Sequence, residues 1–140
     1  MTRTRVASLV AVAALAAVTT GCGARPADAG APTETCTETK TGSGLSIDLT
    51  TPCPLRGGKS ADARITVKND KGEKITNATV KLTPDMPSMN MHSGEQNATP
   101  NGDGYDAKLV LGMGGEWIVK VQVTPSSGSP ADVSFTLNAK

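Results

Sequence analysis

From Leu45 onward, apolar side chains return at every second position in six separate runs, each bounded by turn-forming residues. A period of two marks a strand with one buried face. The run GLSIDLT predicts a strand with Leu45, Ile47 and Leu49 inward, ADARITVKN one with Ala63, Ile65 and Val67, and NATVKLTP one with Ala78, Val80 and Leu82. Further on, YDAKLVLGM points Tyr105, Ala107, Leu109, Leu111 and Met113 to one side. EWIVKVQVT does the same with Trp117, Val119, Val121 and Val123, and ADVSFTLNA with Val133, Phe135 and Leu137. No stretch reads as a helix of useful length. The connections NDKGE, GMGGE and PSSGSP carry the glycine and proline that tight turns require. The expected fold is all-β, an immunoglobulin-like antiparallel β-sandwich of six to seven strands. With one Trp, one Phe and one Tyr in the chain, its core depends on Val, Leu and Ile, each fully buried side chain stabilising by about 1.5 to 3 kcal/mol.

Ahead of this domain the pattern changes. Arg3 and Arg5, the apolar run VASLVAVAALAAV and the ending TTGC read as an export signal over residues 1–21. The ending resembles a lipobox, with Thr19 standing where an aliphatic residue is usual. On that reading Cys22 becomes the lipid-modified, palmitate-bearing first residue of a lipoprotein, and the alternative is an ordinary signal peptide cleaved nearby. Residues 22–40 lack apolar periodicity and predict a flexible polar tether, leaving residues 41–140 as one small domain. The address is then the extracytoplasmic face of the cell membrane, with the lipid as anchor. Losing residues 1–21 removes two of 14 basic residues and none of 13 acidic ones. A near-neutral chain offers no basic patch for nucleic acid. Cys36 and Cys53 remain as an even pair in an oxidising compartment, which favours a disulfide over two free thiols.

Between Leu82 and Tyr105 the alternation stops for some twenty residues, a link long enough to suggest function or mobility. It opens on PDMPSMNMHSGEQ, which concentrates Met86, Met89, Met91 and the only histidine, His92. Thioether sulfur is soft and selects Cu(I), and it does not form disulfides where a cysteine would. Extended geometry after Pro87 brings Met86 and Met89 to one side. It also sets Met91 with Met89 while His92 points the other way, so that a turn at Ser93 and Gly94 is needed to recruit the imidazole. Met113 is read either as a further ligand or as a core cap at the end of its strand. Trp117 is read as core. The methionines have two bland readings as well: a hydrophobic lid over the sandwich, or an adaptable surface for a protein partner.

GKSADARITVKNDKGEKITNATVKLTPDMPSMNMH followed by GDGYDAKLVLGMGGEWIVKVQV resembles a YtkA-like or FixH-like domain, from about Leu45 to Val123. The resemblance implies an immunoglobulin-like β-sandwich outside the cytoplasm. It places the family's methionine and histidine positions on Met86, Met89, Met91 and His92, and its turn methionine and tryptophan on Met113 and Trp117. FixH-type relatives are associated with copper delivery to cytochrome oxidase, which implies a copper-accepting or other membrane-protein partner.

An enzyme is not expected. The sole histidine has no evident carboxylate to orient it, Asp85 and Glu95 show no acid–base pattern, and no glycine-rich phosphate loop precedes a helix. The leading expectation is an extracytoplasmic lipoprotein that binds Cu(I) through a Met/His loop for storage, delivery or resistance. The alternative is a non-metal module that docks a membrane-bound partner.

Overall fold

The computed structural model describes residues 33–140. Two antiparallel sheets face each other. The first runs in the order β1 (Glu34–Gly42), β2 (Leu45–Cys53), β3 (Lys59–Lys68), β8 (Gly104–Leu111) and β7 (Thr99–Asn101). The second runs β10 (Ala131–Ala139), β9 (Gly115–Pro125), β4 (Ala78–Met86) and β5 (Met91–His92), with β6 (Gln96–Asn97) also paired to β4. The architecture is the expected β-sandwich. Among the described residues its only helical element is a single 3-10 turn at Pro87–Met89.

The inward positions follow the alternation. Ile47, Ile65, Leu82, Leu109, Val121 and Phe135 have essentially no exposed surface, and Trp117 and Tyr105 are fully enclosed between the sheets. Tyr105 brings its hydroxyl inside without leaving it unpaired: Oη donates to the Ile75 carbonyl at 2.8 Å and accepts the Ala78 N–H at 2.9 Å. This fixes the start of β4 against the opposite sheet. Leu137, expected inward, is only partly buried near the end of β10.

Two boundaries differ from expectation. Residues 34–40 are not tether: Glu34–Gly42 is strand β1, paired along its whole length with β2. The segment ETCTETKTG could not reveal this, because β1 is an edge strand polar on both faces and buries almost nothing. The expected export segment, the expected lipidation site Cys22 and the part of the expected tether up to residue 32 lie outside the described residues. Cys36 of β1 is joined to Cys53 at the end of β2 by a disulfide, with the Cα atoms 5.8 Å apart.

The link from Leu82 to Tyr105 is also more ordered than its sequence pattern. β4 continues through Pro84 to Met86, and three short strands follow. Leu82 pairs with Gln96 and Asp85 with His92, so Thr83 and Pro84 face three residues, 93–95. This is a bulge. Pro84, which has no N–H to give, sits where the ladder is interrupted, while its carbonyl accepts the Ser93 N–H at 2.9 Å.

Candidate metal centre

β4 and β5 form a short ribbon at one end of the second sheet, and its two faces carry different chemistry. Met86 and Met91 are directly opposed. Residues so placed have their Cβ atoms about 5 Å apart on the same face. Met86 completes the inward series Ala78, Val80, Leu82, Pro84 and is 2% exposed, whereas Met91 is half-buried against the core.

Both side chains end at the β8–β9 turn, Gly112 to Gly115. A Cβ built on Gly115 would lie 2.9 Å from the Met86 Cε, and one on Gly112 would lie 3.8 Å from the Met91 Sδ and 4.0 Å from the Trp117 ring. Glycines at 112 and 115 therefore leave the room into which the two thioethers reach. The turn itself is held rigidly. Trp117 Nε1 donates to the Met113 carbonyl at 3.0 Å. On the other side Gly57 lies flat against the Met113–Gly114 peptide, so close that a Cβ there would be 2.1 Å from the Gly114 nitrogen. Gly57 is anchored in turn by its N–H to the Lys140 carbonyl, and Gly58 by its N–H to that of Leu111.

The other face of the ribbon carries Asp85 opposite His92. His92 Nδ1 is 2.8 Å from Asp85 Oδ1, and Lys120 Nζ is 3.4 Å from Oδ2. The imidazole is 70% exposed and the carboxylate 14%. The His92 hydrogen bond, and after it Lys120, hold the Asp85 carboxyl below the usual carboxylate range, against the opposing effect of burial. An ionised carboxylate only accepts hydrogen bonds, so Nδ1 must be the donor.

The family model for YtkA-like proteins matches residues 39–122, more than half of the chain. The chain belongs to the YtkA-like family. Among solved structures, this YtkA-like domain is similar to the crystal structure of FetP from uropathogenic Escherichia coli strain F11, which was expressed recombinantly in the periplasm of E. coli. The TM-score is 0.60 at 16% identity, covering 75% of this chain and 95% of FetP. At that identity the likeness is one of fold. No curated protein matches the chain.

The YtkA-like domain thus brings together part of the expected site. Met86 and Met91 meet at the turn that carries Met113. Met89, in the 3-10 turn, is 61% exposed. Met113 is 36% exposed and lies beyond the end of β8, so it does not continue that strand's inward face and does not cap the core. Trp117 is core, as expected. His92 is not recruited to the thioethers, because the strand alternation that pairs it with Asp85 places it on the reverse of the ribbon. The carboxylate that sequence reading found missing is Asp85, seven residues away and directly across the ladder. Once β4 and β5 are recognised as antiparallel, the register brings the two together. Among the described residues, no three His, Cys, Asp or Glu side chains form a metal-holding group, so the arrangement offers sulfur and a single imidazole rather than a hard-cation cage.

Proposed function

We propose that this chain is an extracytoplasmic, lipid-anchored binder of Cu(I), which it holds as cargo for storage or transfer. The observation that carries the reading is the direct opposition of Met86 and Met91, with both side chains reaching the glycine turn that bears Met113. Met91 and Met113 are the accessible thioethers at this rim, Met86 forms its buried floor, and exposed Met89 is the flexible contributor. Thioethers suit Cu(I), do not titrate, and form no disulfides in an oxidising compartment. The Cys36–Cys53 disulfide favours such a compartment, and TTGC at Cys22 supplies the anchor. In this reading the chain binds its cargo, and copper passes to a membrane-bound acceptor by ligand exchange.

Competition against a Cu(I) chelator tests this. Replacing Met89, Met91 and Met113 together by Leu removes sulfur while nearly conserving volume, so the fold survives. The variant is expected to lose the copper that the wild type retains. Equal retention by both proteins refutes the copper reading and leaves the exposed methionines as a docking surface for a membrane-bound partner. For the anchor, radiolabelled palmitate is expected to enter the wild-type chain and not a Cys22→Ala variant.

A further inference from the structure

The histidine–carboxylate pair on the reverse of the ribbon has no part in the thioether site. We propose that Asp85 is a positioning residue for His92, fixing the imidazole with Nδ1 protonated and Nε2 turned to solvent as a nitrogen donor for the copper cargo. The inference rests on the copper reading above.

Three observations support it. The pair is part of the strand ladder, not a chance surface contact, because Asp85 and His92 are register partners on β4 and β5. The carboxylate is itself enclosed: it is 14% exposed, and Lys120 from β9 forms an ion pair with its second oxygen at 3.4 Å. The imidazole, by contrast, is 70% exposed, and with Nδ1 committed to Asp85 at 2.8 Å its remaining nitrogen bears the lone pair. A metal-binding histidine commonly donates its other ring N–H to a carboxylate, which sets the tautomer and raises the basicity of the donor nitrogen. The Asp85–His92 pair has that geometry. Since Met91 and His92 are neighbours on opposite faces of a sheet edge, the cargo has a nitrogen donor outside and sulfur donors inside within one residue of each other. This suits capture at His92 followed by transfer to the thioethers.

Nitrogen-15 NMR of the intact protein at about pH 8, above the ordinary imidazole range, reads the tautomer directly. The wild type is expected to show Nδ1–H. Asp85→Ala is expected to shift the population toward Nε2–H, and Asp85→Glu to restore the wild-type signature. The rate at which Cu(I) passes from a chelator to the protein supplies the second readout. That rate is expected to fall about tenfold in Asp85→Ala, to fall similarly in His92→Gln, and to fall no further in the double variant, since one residue acts through the other. An unchanged tautomer in Asp85→Ala, or additive losses in the double variant, overturns the positioning role. If His92→Gln takes up Cu(I) as fast as the wild type while the Met89, Met91, Met113 triple variant loses copper, His92 is no ligand and the thioether reading stands alone. If the wild type itself fails to compete for Cu(I), both readings fall together.

Discussion

Gly115 shows how narrowly single residues define the thioether rim. Its φ of +135° lies where L-residues rarely go, and a Cβ there would meet the Met86 methyl at 2.9 Å. The methyl is the far end of a flexible side chain and can swing aside, so the clash itself is cheap, but in swinging it leaves the turn. The backbone strain is not relieved that way. Gly115→Ala is therefore expected to destabilise the domain by about 1–3 kcal/mol, seen as a lower urea midpoint at unchanged slope, and to weaken Cu(I) retention by displacing Met86. Gly112→Ala is the control. Gly112 is exposed and its added Cβ would lie in ordinary contact, 3.8 Å from the Met91 sulfur, so its stability is expected to stay within about 0.5 kcal/mol of wild type. Equal losses in the two variants would mean that the turn tolerates neither, and that the special role assigned to Gly115 is mistaken.

Strands differ in what holds them. Six of the ten were legible because one face is buried and the other wet: the alternation in β2, β3, β4, β8, β9 and β10 is the direct trace of that environment. The short strands were not legible. Pro84 interrupts the pattern at the bulge, and Met91–His92 and Gln96–Asn97 are too brief to alternate. The methionine cluster could be read as soft-ligand chemistry from residue types alone, but which of its members meet depends on the register of a two-residue strand, and that register sent His92 to the far side. β1 failed for the opposite reason, being regular but without a buried face. Its attachment rests on ladder bonds to β2 and on the Cys36–Cys53 bridge, which closes a loop of 17 residues' separation and stabilises by roughly 3 kcal/mol on the chain-entropy model. Reduction, or Cys36→Ser, is expected to speed amide hydrogen exchange in residues 36–42 while β8 and β9 stay protected, because little apolar surface keeps β1 in place. Unchanged exchange in β1 would show that its ladder alone suffices.

Across the whole molecule, each sheet carries on its outer face a partly buried carboxylate that bridges three strands. Asp48 on β2 accepts from Thr39 of β1 at 2.7 Å and from Lys68 of β3 at 2.9 Å. Asp85 on β4 does the same between His92 of β5 and Lys120 of β9. Both carboxyls are held below their ordinary range, Asp48 first by the Thr39 hydroxyl and then by Lys68, and Asp85 first by His92 and then by Lys120. The Asp103 carboxyl is lowered as well, by Lys74 and then Arg64, but it is 56% exposed and its ion pairs are screened by solvent. A carboxyl whose folded value is depressed contributes stability that is fully present above its unfolded value and disappears as pH falls through the folded one. Unfolding free energy is therefore expected to hold steady down to about pH 4 and then to decline with further acidification. Asp48→Asn and Asp85→Asn remove the titrating group, so each is expected to be less stable than wild type at neutral pH and to show a shallower decline below about pH 4. Denaturation midpoints measured from neutral pH into acid check this. An acid limb as steep in the double Asn variant as in the wild type would place the acid sensitivity elsewhere, with the Arg64, Lys74 and Asp103 network as the next group to alter.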